Sequence, residues 1–139
     1  MAKEIQLTPV GYFTEDDLPL NCSQSGIYIV YAGTPGQPGY CNLRKILYIG
    51  QSYNVADRVC SEHENYNSWK RQLYIGEKLY FAYCTVSSID RDRAEAALIY
   101  KIQPCCNTMC KDSFSYEATT IIVNGDKDAF IPNSFTVYK

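Results

Sequence analysis

No stretch of this chain is apolar for long enough to span a bilayer, and Met1-Ala2-Lys3-Glu4 lacks the apolar core of a secretory leader. The expectation is a chain with no membrane association. Seven cysteines is an odd number, and no two are spaced Cys-x-x-Cys. A secreted disulfide framework is therefore disfavoured, and the thiols are expected to be reduced, in the cytoplasm. Cys105, Cys106 and Cys110, even joined by Cys60 and His63, have poor spacing for zinc and read as free thiols. Basic charge is not in surplus either. Thirteen Lys and Arg stand against fifteen Asp and Glu, a net charge of −2, which weighs against a strong non-specific nucleic-acid binder. No internal repeat or low-complexity tract is present, and 139 residues suit one ordinary domain with a modest core.

What is present is unevenly spread. Residues 1–25 hold one basic against four acidic side chains, residues 26–107 nine against seven, and residues 108–139 three against four. The middle segment is the basic one, with an excess that suits weak, salt-sensitive binding. Thirteen tyrosines supply most of the aromatic content, which serves stacking and hydrogen bonding as well as an ordinary core.

Gly26 to about residue 32 reads as a strand, Ile46 to Ile49 as a second and Lys78 to Val86 as a third. Between the first two lies a Gly/Pro-rich loop expected over 34–45, ending in Arg44 and Lys45. Gly50 lets the chain leave the second strand sharply. Ser52 or Asn54 caps a following helix that carries Arg58 on its second turn. A short helix is expected around Trp69, and a longer one from Asp90 to about Gln103, ended by Pro104. Ile5 to Val10 suggests an edge strand, and Thr14 to Leu18 a brief helix stopped by Pro19. In the tail, Thr119 to Val123, the turn Asn124-Gly125-Asp126 and Phe130 to Tyr138 suggest an appended hairpin. The fold class expected is α/β, a small, mostly antiparallel three-stranded sheet flanked by helices with a C-terminal hairpin-like extension. The expected organisation is an embellishment at 1–25, a core at 26–107 and an extension at 108–139.

Gly26-Ile27-Tyr28 and Tyr48-Ile49-Gly50 each place a tyrosine on a strand. Arg58 follows Gly50 by eight residues, and Glu95 and Asn107 are twelve apart. Tyr74-Ile75-Gly76 repeats the second triplet, but eight residues past Gly76 stands Cys84. Only the first copy carries an arginine. With those five positions, the chain resembles the GIY-YIG nuclease superfamily, from which it departs in the longer span between Tyr28 and Tyr48.

The resemblance implies a single-domain endonuclease that hydrolyses DNA, duplex or branched, by in-line attack of water. Glu95 then holds one divalent ion, Mg²⁺ or Mn²⁺, whose preference for hard oxygen accepts one carboxylate plus water and phosphate. On the 89–103 helix it precedes the apolar positions Leu98 and Ile99, where a carboxylate is costly unless paired with Arg91 or Lys101 or bound to a cation. Arg58 clamps the scissile phosphate, unless an ion pair with Glu62 claims it. Tyr28 and Tyr48 divide the activation of water and the orientation of phosphate, Tyr28 being assigned the water, against the alternative of two core tyrosines. His63 is the only histidine, five residues past Arg58 where many family members have one at four, and serves as an auxiliary base or as a surface residue. Asn107 fixes local structure by bonding backbone or orienting a catalytic side chain. Arg44 and Lys45 are candidate phosphate contacts, as are Lys70 and Arg71, although such a pair beside Trp69 is more often a solvated helix face. No DNA-reading motif accompanies this set, so specificity would come from loops, a homodimer or a specificity partner. The rival expectation is a catalytically silent nucleic-acid- or protein-binding module on the same fold.

Overall fold

Every residue from Gly26 to Ala32 is buried, as befits a central strand covered on both faces. In the computed structural model, which describes residues 1–125 and 128–139, this strand is β3 (Gly26–Pro35). Three earlier and later strands complete its sheet: β2 (Val10–Phe13), β4 (Cys41–Ser52) and β5 (Lys78–Thr85). All pairs are antiparallel, in the order β2-β5-β3-β4. The expected three-stranded sheet is thus four-stranded, because β2 adds itself to the outer edge of β5.

The hairpin of β3 and β4 also continues past the point where glycine and proline predict a loop. Gly33 pairs with Leu43, Thr34 with Asn42 and Pro35 with Cys41, which leaves only 36–40 to turn. Pro35 takes the last strand position, where a missing N–H costs little. Arg44 and Lys45 therefore stand on β4 and not on a loop.

A second sheet has three strands in the order β1-β6-β7. Here β1 (Lys3–Leu7) runs parallel to β6 (Thr119–Val123), and β7 (Ser134–Val137) antiparallel to it. The expected strand around Ile5–Val10 is split at Pro9 between the two sheets. The two tail segments pair as a hairpin should, with a shorter second arm. Their expected turn reaches Asp126, which lies outside the described residues.

Helix α3 (Arg91–Ile102) packs against both sheets. Ala94, Ala97, Leu98 and Ile99 are buried on it, and the alanines let backbones approach closely. Gln103 takes the left-handed conformation at φ 56° just before Pro104, so the helix ends where expected. On the opposite face of the four-stranded sheet lie α1 (Val55–Arg58) and α2 (Tyr66–Arg71). α1 is a single turn, so Arg58 closes it instead of riding a second turn. Its cap is Asn54, whose Oδ1 accepts from the Asp57 N–H at 3.3 Å. Trp69 of α2 is fully buried, in edge contact with Phe81. The Thr14 segment is one 3₁₀ turn, Glu15–Asp17, with the Thr14 N–H donating to Asp17 Oδ2 at 2.8 Å. Among the described residues no helix is long and apolar enough to cross a membrane.

Candidate active site

The pairing of β3 with β4 puts Tyr28 directly opposite Gly50. A Cβ at position 50 would lie 2.2 Å from Tyr28 Cζ and 2.3 Å from its hydroxyl oxygen. Gly50 therefore does not end the strand, which runs on to Ser52. It leaves the space into which the Tyr28 ring folds. Tyr48 stacks beside that ring with centroids 6.2 Å apart, and Trp69 backs Tyr48 at 5.5 Å. The repeated triplet has a different fate. Tyr74 and Ile75 are exposed, and Gly76 turns the chain at φ 87°.

His63 completes the aromatic cluster, with its ring fully buried. The backbone N–H of Asn65 donates to Nδ1 at 3.0 Å, so the neutral ring carries its proton on Nε2. That nitrogen lies 2.8 Å from the Tyr28 hydroxyl oxygen and donates to it. Burial first, and then the Arg58 guanidinium, pull the His63 pKa down to about 4, with Glu64 opposing them. The imidazole is neutral at pH 7. Tyr28 is pushed far above the usual phenol range, by burial first and then by Tyr48, with Arg58 pulling the other way. The Tyr48 phenol is raised by burial and by the Glu95 charge, against Asn65 and Arg58.

Glu95 projects from the middle of α3 and is half-buried. It has no hydrogen bond or ion pair among the described residues, so neither Arg91 nor Lys101 neutralises it. Burial first, then Asp92, lift its pKa from an ordinary 4.5 to about 7, with Arg91 opposing. Among the described residues no three His, Cys, Asp or Glu side chains gather into a metal-binding group. A half-buried, unpartnered carboxylate whose charge reaches two phenols is a hard oxygen donor of the kind a divalent ion such as Mg²⁺ would take.

Arg58 is not paired with Glu62. Its Nη1 and Nη2 donate to Glu64 Oε2 and Oε1 at 2.7 and 2.5 Å, a two-pronged ion pair at the surface. That pair holds the Glu64 carboxyl well down, to about 2. Glu64 escaped sequence reasoning because α1 ends at Arg58. The turn closed by the His63 N–H on the Cys60 carbonyl then folds Glu64 back, a geometry with no helical-spacing signal.

Asn107 is buried, and it bonds the backbone of Ile49 twice. Its Oδ1 accepts from the Ile49 N–H, and its Nδ2 donates to the Ile49 carbonyl, each at 2.9 Å. The Cys106 N–H donates to the Leu47 carbonyl just before, also at 2.9 Å. Residues 106–107 so occupy the outer edge of β4 on either side of Tyr48 and fix the strand that presents it.

The remaining basic candidates lie elsewhere. Arg44 donates to both Glu77 oxygens, at 2.7 and 2.9 Å, and to the Gln72 carbonyl at 2.8 Å, and it stacks on Tyr74. Lys45 has no ion pair among the described residues. Lys70 pairs with Glu15 at 2.9 Å, and exposed Arg71 bonds Ser68 Oγ. All seven cysteines are free.

Tyr28, Tyr48, His63 and Arg58 thus converge on one end of the four-stranded sheet, with the Glu95 charge felt by both phenols. Comparison of the chain with family models, with curated proteins and with solved structures returns no match.

Proposed function

We propose that this chain is a metal-dependent endonuclease of the GIY-YIG type that hydrolyses DNA phosphodiester bonds by in-line attack of water. The observation that carries the reading is Glu95. A half-buried carboxylate without a partner is costly to fold around, and its charge reaches both phenols, groups of the kind that phosphoryl chemistry uses.

In this reading Glu95 holds one Mg²⁺ or Mn²⁺. Bound there, the ion supplies Lewis-acid stabilisation of phosphoryl oxygen charge. Arg58 leaves Glu64 and places its fork on the scissile phosphate, whose developing charge it offsets. Tyr28 in its phenolate form takes a proton from the attacking water. Burial makes that form scarce, and two neighbours work against burial: Nε2–H of His63, which already donates to the phenol oxygen, and the Arg58 charge. His63 then serves as a donor that steadies the base and not as the base itself. Tyr48, less buried than Tyr28, orients the phosphate, and Asn107 positions Tyr48 through the backbone of β4.

One observation favours a second reading, a nucleic-acid- or protein-binding module without activity: Arg58 is fully engaged by Glu64. Cleavage of labelled duplex, flap and junction DNA with Mg²⁺ or Mn²⁺ separates the two. Metal-dependent nicking that disappears in Arg58→Ala and Glu95→Ala is the expected result. Binding without cleavage by the wild type supports the silent module instead.

A further inference from the structure

Arg91 opens α3 one helical turn before Glu95, on the same face. Its side chain makes a single hydrogen bond, from Nη1 to Ser25 Oγ at 3.0 Å. Its Nε is buried with no partner, and no carboxylate lies within ion-pair distance among the described residues. The other arginines are spent differently. Arg44 and Arg58 each grip a glutamate, and Arg93 ties Thr119 Oγ1 and the carbonyls of Glu117 and Ala118. Arg71 sits on an exposed helix end.

The position of Arg91 follows from the loop it touches. Ser25 immediately precedes Gly26, which pairs with Ser52. The carbonyls of Gln24 and Cys22 accept from the N–H groups of Val55 and Ala56 at 3.1 and 2.9 Å. One loop therefore ties the start of α1 to the start of α3. Arg58 and Arg91 flank the same end of β3 and β4, the end at which Tyr28 crosses Gly50. An arginine and a glutamate one turn apart normally pair at the surface of a helix. Here they do not, and each is left available to a ligand of opposite charge.

We propose that Arg91 binds a second phosphate of the nucleic-acid substrate, apart from the one assigned to Arg58. This subsite rests on the reading of the chain as acting on nucleic acid, though not on cleavage itself. Its planar guanidinium, fixed at one corner by Ser25, presents the remaining Nη2 donors to a phosphate oxygen. It adds a sequence-independent contact to a segment with only a small basic excess.

The test is equilibrium binding of fluorescently labelled duplex and flap DNA without metal, so that nothing is cut, at a series of salt concentrations. Arg91→Ala should weaken binding about tenfold and reduce the slope of log affinity against log salt by about one. Arg91→Lys should keep the slope and lose only part of the affinity. Arg93→Lys, which keeps charge at a structural arginine, should change neither. Unchanged affinity and slope in Arg91→Ala overturn the subsite, and so does a wild type that binds no DNA. A wild type that binds here but does not cut when Mg²⁺ or Mn²⁺ is supplied in the separate cleavage assay sinks the endonuclease reading alone, since the Arg91 variants are still decided by affinity and slope. A lowered thermal midpoint in Arg91→Ala with Arg91→Lys equal to wild type in slope still supports it, and loss of the slope in Arg91→Lys contradicts it.

Discussion

Two parts of this chain carry the triplet Tyr-Ile-Gly beside a two-pronged arginine–glutamate pair, and they do different things. Around Tyr74-Ile75-Gly76, Arg44 grips Glu77, whose side chain is only 6% exposed and also accepts from the Tyr74 N–H. Around Tyr48-Ile49-Gly50, Arg58 grips Glu64, which is 64% exposed and has no other strong partner. The first pair is enclosed by a turn, a backbone carbonyl and a tyrosine ring, so it works as a latch. The second faces solvent beside a neutral histidine and two phenols with raised pKa values. The same residue types become a closure or a poised cation according to burial and neighbours, and the letters alone do not distinguish them.

The contrast is broken most directly by removing each arginine. Arg58→Ala should lower cleavage by about 10² to 10³-fold, the cost of losing a transition-state donor, with little change in thermal midpoint. Arg44→Ala should leave cleavage within a few-fold and cost about 1 to 2 kcal/mol of stability, because it leaves the half-buried Glu77 carboxylate with the Tyr74 N–H as its hydrogen-bond partner. Steady-state cleavage and denaturant unfolding of both variants measure this. Equal loss of activity in the two would erase the distinction.

The glycines sharpen it at a smaller scale. Gly50→Ala must move the Tyr28 ring and should cost about 2 to 3 kcal/mol as well as activity. Gly76→Ala has open space around it but a positive φ, and should cost about 1 kcal/mol with activity intact. A Gly50 variant as mild as the Gly76 one would mean that Tyr28 does not need its place.

The pH profile separates the two charged groups of the site. Glu95 must be ionised to take a metal, and its raised pKa makes that form scarce below about 7. The Tyr28 phenolate grows about tenfold per pH unit while pH stays below the phenol's pKa. At low Mg²⁺, log kcat/KM should climb with a slope near two below about pH 7 and near one above it. A flat profile above neutrality would remove Tyr28 as the base.

The smallest effect belongs to Glu64. Glu64→Gln frees the Arg58 fork and should tighten DNA binding by about threefold, a modest gain because the pair is largely solvated. No tightening would mean that the pair does not compete with phosphate.

Much of the core was legible. β3, β5 and α3 lie close to where alternation, β-branched runs and a proline stop put them, since those signals are local. The burial of Tyr28 against Gly50 was not legible, because it depends on the cross-strand register. Nor was the length of the β3–β4 hairpin, where pairing to a central strand overrides Gly and Pro. The parallel pairing of β1 with β6 joins segments more than a hundred residues apart, and the strand runs themselves carry no mark of their partners. At the candidate site, the strand positions of Tyr28 and Tyr48 and the place of Glu95 on a long helix followed from local sequence signals. Glu64 was not legible, because a turn and not a helix returns it to Arg58. The bonds of Asn107 to Ile49 give a specific form to the backbone role expected of it.

The most direct measurement is Glu95→Gln beside wild type, for cleavage and for thermal midpoint at pH 8 and below pH 4.5. With a folded pKa raised to about 7 from an ordinary 4.5, the ionised wild-type carboxylate destabilises the fold fully above 7 and not at all below 4.5. The account predicts that the variant loses cleavage by at least about 10²-fold, melts a few degrees higher at pH 8 and matches wild type in acid. Cleavage retained with a lower melting point at pH 8 would make Glu95 a structural residue and would contradict the assignment of this site.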